Sequence, residues 1–241
     1  MRKWLWAAAV FSSQMVHVPT GSYPSFYRPK PKESSRSERK TQVEAFSIDR
    51  TPVTRAEFLS FVKHYPEWRR SRAKSLFVDS HYLKDWRSDL DPGREGRASP
   101  IAWVSWFAAK AYCESKHEAL PSTDQWEYVA FDQGRSKEQI TKEALDWYGT
   151  PQSSKPPPAV GCKKPNGFGV FDLFGLVWEW TSDFNSAIVD DGESNAFCGN
   201  ASVGVVDPSD YVGFMRRSFR SSLKAKYTAG SLGFRCVKGK Q

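Results

Sequence analysis

Large aromatic rings, rather than aliphatic side chains, must hold this chain together. It carries 16 Phe, 10 Trp and 9 Tyr, while all hydrophobic residues together make up only 39% of its 241 residues. Each ring buries a large area, so few are needed to stabilise a fold built mostly of loops. The 16 Gly and 15 Pro add many turns, which argues for short elements rather than a helical bundle. Helical patterns come early and strand-like runs come late, the order expected of an α+β protein. The length suits one domain over residues 15–241, preceded by a short N-terminal piece, residues 1–14.

About three helices are legible. In the first, Thr54 and Glu57 form a capping box, and Phe58, Phe61, Val62 and Tyr65 recur at helical spacing until Pro66 ends the run. The second starts at Ser105 and reaches Lys116, with Ala109, Tyr112 and Cys113 on one face. Ser122 and Gln125 cap a third, whose Trp126, Val129 and Ala130 face inward. A short helix near Ser80–Trp86 is expected within a long irregular stretch, and beyond Gly134 the chain reads as loop and turn. Val16 and Val18 mark an early strand. Val170–Leu173, Val177–Thr181, Ser218–Leu223 and Phe234–Lys238 are late strand candidates, and Pro165-Asn166-Gly167 is a turn signal.

The formal net charge is +8. Much of the excess lies in Arg28–Lys40 and Arg69–Lys74 without zinc-finger spacing, an RNA-recognition signature or an aromatic-basic stripe. It reads as a solvated surface, and no nucleic-acid partner is expected. Met1-Arg2-Lys3 before Trp4–Phe11 suits either a secretory signal or an ordered N-terminal arm. No other run is long and apolar enough to span a bilayer. The histidines His17, His64, His81 and His117 show no metal-ligand spacing.

Six phrases occur in register: Phe46–Thr54, Val104–Cys113, Leu120–Tyr128, Pro165–Asp172, Val177–Asp183 and Leu232–Cys236. Together they resemble the formylglycine-generating enzyme, or sulfatase-modifying factor, family. The resemblance implies an irregular C-type-lectin-like variant of the α+β class. The stretch Phe197–Phe234 resembles a bacterial subgroup found beside nitrite reductase genes.

The catalysts of that family bind copper(I) through two thiolates, which suit a soft metal, and oxidise a sulfatase cysteine with oxygen. Counting back from Gly233-Phe234-Arg235-Cys236, the two positions fall on Asp207 and Val212, and no cysteine lies between Cys198 and Cys236. Copper is therefore not expected, and no catalytic residue is assigned. A binding or maturation accessory module acting on a protein or peptide client is expected. The alternative is an oxidoreductase in the same groove, using other metal chemistry or a divergent form of the family reaction. The resemblance also implies calcium at Asp172 and Glu179 through side chains and at Gly175 and Val177 through carbonyls, a hard-oxygen set. It implies a Cys113–Cys236 disulfide, whose loop of over a hundred residues makes it worth roughly 2–4 kcal/mol. That bond would indicate a periplasmic or secreted protein; buried thiols in a cytoplasmic protein are the alternative. Cys162 and Cys198 have no assigned partners, and a bond between them stays open. Trp178 and Tyr211 fall where the family lines its substrate groove, with Cys198 as a possible reactive thiol. Arg216, Arg217 and Arg220 either face an acidic ligand or pair with nearby carboxylates.

Overall fold

The computed structural model describes residues 14–25, 40–93, 96–131, 136–150, 157–185 and 211–239. Strands β1 (Met15–Val18), β4 (Phe46–Asp49) and β7 (Val237–Gly239) form an antiparallel sheet in the order β1-β4-β7. Register places Val18 opposite Phe46 and Ile48 opposite Val237. A second antiparallel pair joins β2 (Gly21–Pro24) to β3 (Lys40–Val43). The two-residue strands β5 (Trp178–Glu179) and β6 (Leu232–Gly233) pair in parallel. Gly233 permits that pairing, because a Cβ there would stand 2.4 Å from the Ile101 carbonyl oxygen. The helices are α1 (Arg55–His64), α2 (Trp106–Ser115), α3 (Thr123–Phe131), α4 (Lys137–Tyr148) and α5 (Tyr211–Ser222).

The three expected helices form where their caps predict. The Thr54 side chain accepts from the Glu57 amide, while Glu57 accepts from the Thr54 amide. Ser122 and Gln125 make the same exchange before α3. Ser105 caps α2 through the Ala108 amide.

Four local expectations are corrected. Residues after Gly134 form α4, capped reciprocally by Ser136 and Gln139. Ala144 is its only buried residue, so an apolar stripe hardly exists to be read. Ser218–Leu223 forms no strand; Ser218–Ser222 belong to α5, whose buried positions include Arg216 and Arg220. Val170–Leu173 is not a strand either, because the Asn166 side chain captures the Val170 amide and Asp172 takes a positive φ of 56°. The segment Ser80–Trp86 is a series of turns, since Leu83 sits at φ 48° and its amide bonds to the Trp103 carbonyl.

Two aromatic cores result. Phe58, Trp86, Tyr112, Trp180 and Phe234 centre one between α1 and α2; Phe46, Trp126, Tyr128 and Phe174 centre the other. Phe58 alone meets Phe61, Trp86, Tyr112 and Phe234 at ring-centroid distances of 5.3–6.3 Å. The irregular stretch after α1 is held by buried polar bonds instead of a ladder. Arg55, 2% exposed, pairs with Asp85 and donates to the Pro92 carbonyl. Asp79 accepts from both the amide and the hydroxyl of Thr228.

Cys113 on α2 and Cys236 beside β7 are joined by a disulfide with a sequence separation of 123. Both residues are fully buried. A cross-link over so long a loop restricts the unfolded chain strongly. Replacing both cysteines with alanine is expected to lower unfolding stability by roughly 2–5 kcal/mol. Urea denaturation of the oxidised wild type against the double variant checks this, and equal midpoints would show that the bond contributes nothing.

Candidate functional site

Three sequence segments converge on one buried guanidinium. Arg235 is 0% exposed. Its Nε and Nη2 donate to the two carboxylate oxygens of Glu179 at 2.8 and 2.7 Å. Nη1 reaches the Asp49 and Arg50 carbonyls, and Nη2 reaches the Phe171 carbonyl. All five N–H groups of an arginine therefore have acceptors. Trp126 on α3 adds a 2.7 Å indole N–H bond to Glu179 Oε2.

Glu179 is also one of the four expected calcium ligands. Glu179 does not present a free charge, because Arg235 neutralises it in bidentate fashion. Asp172 differs. Its Oδ2 accepts from the Gly161 amide at 2.5 Å. Burial pushes its carboxyl above the ordinary range, while the Gly161 amide, Arg235 and Lys163 pull the other way and Glu179 adds to the rise. Gly175, at φ +105°, and buried Val177 follow on the same segment, and their carbonyls are hard oxygen donors. The four expected ligands are all oxygen donors, as calcium requires, but both Glu179 carboxylate oxygens are engaged by Arg235 and Trp126.

Trp178, one of the expected groove residues, packs against the protein's own rings. Trp178 lies 4.8 Å from Tyr148 in a stacked arrangement, 4.9 Å from Trp147 and 4.4 Å from Phe219. Rings from α4 and α5 therefore cover it. Tyr211 stands exposed at the start of α5, and Val212 is buried within that helix. Asp207 and Cys198 lie outside the described residues, as do residues 1–13. Cys162 is a free, exposed thiol. Side-chain atoms of Asp49, Glu118 and Cys236 come within 4.8 Å of one another, but the Cys236 sulfur is engaged in the disulfide. The four histidines are all exposed and form no ligand group among the described residues.

Sequence reasoning missed the partner of the α5 arginines. Arg216 and Arg220 clamp Glu127 on α3 at 2.6 and 2.8 Å, with all three side chains at most 10% exposed. Arg220 also lies over the Trp126 ring, 4.4 Å from its centroid. The reading of these arginines as partners of nearby carboxylates is the one the geometry supports for Arg216 and Arg220. Arg217 instead reaches the Tyr23 hydroxyl at 3.3 Å. The signal available in the sequence was the spacing Val212, Arg216, Arg220, Leu223, a helical stripe with arginines in buried places.

Short strands, aromatic cores and a disulfide spanning the chain define an irregular α+β protein of the C-type-lectin-like kind. A family model described as the sulfatase-modifying factor enzyme 1-like domain matches residues 7–240, and the chain belongs to that family. It is 26% identical over 283 residues to the inactive C-alpha-formylglycine-generating enzyme 2 of Bos taurus, covering 98% of this chain and 92% of that protein. It is 26% identical over 282 residues to the formylglycine-generating enzyme of Streptomyces coelicolor, covering 92% and 88%. The solved structure of PvdO from Pseudomonas aeruginosa shares the fold, with a TM-score of 0.51, 21% identity and 93% of each chain covered.

The Glu127 clamp makes a pH prediction. Burial alone would raise its carboxyl, but Arg216 and Arg220 hold it at about 2, against an ordinary 4.5. A lowered folded value gives stability that is complete above about pH 4.5 and is lost as the pH falls toward 2. The group's share is about 3 kcal/mol. Glu127→Gln is expected to cost about 3–5 kcal/mol at neutral pH, by leaving two buried guanidiniums unpaired. The variant's stability should also fall less steeply than the wild type's between pH 5 and pH 2.5. Urea midpoints at neutral pH, pH 5 and pH 2.5 read both effects; parallel acid slopes would sink the assignment.

Proposed function

We propose that this protein is a non-catalytic binding or maturation module that keeps the scaffold of the formylglycine-generating enzymes and carries calcium at the Asp172–Glu179 segment. One observation carries the reading: no thiol lies between Cys198 and Cys236, and Cys236 itself is bonded to Cys113. The copper chemistry needs two neighbouring thiolates there. The covering of Trp178 by Tyr148, Trp147 and Phe219 supports the same conclusion. One relative carries the word inactive in its name, which accords with a family that keeps its fold when the reaction is lost.

The disulfide favours an oxidising compartment, periplasmic or extracellular. No helix among the described residues is long and apolar enough to cross a membrane. The client is a protein or peptide. Binding would be read by co-purification and calorimetry.

The experiment that decides between module and oxidase is incubation with a sulfatase cysteine peptide, copper and oxygen. The peptide mass is expected to stay unchanged, and conversion of the cysteine to formylglycine would overturn the proposal. Elemental analysis of the purified protein is expected to find calcium without stoichiometric copper or iron. Either of those metals bound one per chain would favour an oxidoreductase using other metal chemistry in the groove.

A further inference from the structure

Aromatic and basic residues that are scattered along the sequence meet in the fold, at positions not assigned to the expected groove. Three segments, residues 76–84, 103–107 and 224–230, lie side by side and are laced by backbone bonds. The Asp79 amide donates to the Lys226 carbonyl at 3.0 Å, the Trp106 amide to the Ala225 carbonyl at 2.9 Å and the Trp103 amide to the Ala229 carbonyl at 2.9 Å. The Leu83 amide in turn donates to the Trp103 carbonyl at 2.9 Å. Trp103 adopts φ 56°, which is rare for a bulky residue. Its ring rests against Gly230, where a Cβ would stand 3.0 Å from the nearest ring atom. Lys84 lies over that ring, 5.4 Å from its centroid, and the His81 ring sits beside it at 6.0 Å.

The carboxylates of these segments are committed elsewhere. Asp79 accepts from the amide and hydroxyl of Thr228 and from the His81 amide, and Asp85 pairs with Arg55. Lys84, Lys224 and Lys226 are exposed, and none of them makes an ion pair among the described residues. Leu76 and Tyr227, 73% and 45% exposed, add apolar surface within the same segments. A basic and partly apolar surface is complementary to a partner that is acidic and partly apolar. A nucleobase would need an open ring face on which to stack, but Trp103 already carries an ammonium over its ring. Lysine ammonium groups donate and never accept, so the carboxylates of an acidic peptide are suitable acceptors.

We propose that this surface docks an acidic peptide segment of the client, with its carboxylates on Lys84, Lys224 and Lys226 and an apolar side chain against Leu76 and Tyr227. The inference rests on the reading of the protein as a binding module, and it names the surface and the chemistry of the client. It uses none of the four rings packed together about Trp178.

Fluorescence anisotropy of a dye-labelled peptide of alternating glutamate and phenylalanine, titrated with the full chain, tests this. Binding is expected, and it should weaken as sodium chloride is raised, because exposed charges are screened. Lys84→Glu/Lys226→Glu is expected to weaken it about tenfold, the order for reversing charges at a wet surface. Leu76→Ser/Tyr227→Ser is expected to weaken it about fivefold. Lys40→Glu/Lys142→Glu makes the same charge change on β3 and α4 and is expected to alter affinity far less. The two surface variants change different exposed side chains, so a folding defect in one, seen by circular dichroism, leaves the other as the test. No binding by wild type would overturn the proposal, and so would equal weakening by the Lys40/Lys142 variant. Tighter binding of a single-stranded DNA oligonucleotide, or of phosphatidylserine vesicles, than of the peptide would overturn the assignment of an acidic peptide. Failure here with the sulfatase peptide still unconverted removes this surface alone, whereas formylglycine formation overturns the module reading whatever this titration gives.

Discussion

The fold depends on the fully buried Arg235–Glu179 pair. A guanidinium out of water is costly unless every donor is met, and this one is met on all sides. Its acceptors come from the end of β4, the turn after Asn166, and β5. None of these elements is long: β5 and its partner β6 have two residues each. Strands that short cannot fix their own positions by ladder bonds. The directional bonds of Arg235 supply that positioning, and Asp49 extends it by accepting from the Cys236 amide at 2.9 Å. One residue further on, the disulfide clamps the same segment, between β6 and β7, to α2. Arg235 and Cys236 are thus neighbouring residues that tie the chain's last strands to its early half, one electrostatically and one covalently.

The surround of these buried charges is largely aromatic. Trp126 illustrates the arrangement. Its indole N–H serves Glu179, while its ring face carries the Arg220 guanidinium. The Arg216–Glu127–Arg220 clamp is therefore linked through one tryptophan to the Arg235–Glu179 pair. Two guanidiniums share one carboxylate in the clamp, so Glu127 must remain ionised, and the depressed carboxyl is the consequence. The clamp joins α5 to α3, and Phe219 on α5 then meets Trp178 beside Tyr148. The covering of Trp178 is in this sense a product of how α5 is anchored.

The sequence made some of these relations legible and hid others, for physical reasons. Caps are local: Thr54 and Glu57 lie three residues apart, so α1 could be placed from its own residues. The disulfide and the fold came from the resemblance of ordered phrases, because no property of Cys113 alone names a partner 123 residues away. Helix α5 was hidden because its inward face carries arginines. A reading that looks for apolar stripes finds alternating Arg, Ser and Phe there and infers a strand. The commitment of Glu179 to Arg235 was equally invisible. A carboxylate spaced suitably for a metal gives no sign in the sequence that a distant guanidinium already holds it.

These observations separate two kinds of residue within one fold family. Arg235, Glu179, Trp126 and the Cys113–Cys236 pair position backbone, and each is buried with its partners in contact. Their roles are complete without any substrate. The positions that would carry the family's copper chemistry are of the other kind. Thiolates there would bind metal without being needed to join strands. Val212 shows the consequence: a thiolate position in the resemblance is here a buried aliphatic residue within α5. A valine there contributes packing where a thiolate would contribute a soft ligand. The contacts that define the shape of this scaffold act at Arg235, Glu179, Trp126 and the disulfide, atoms other than those positions.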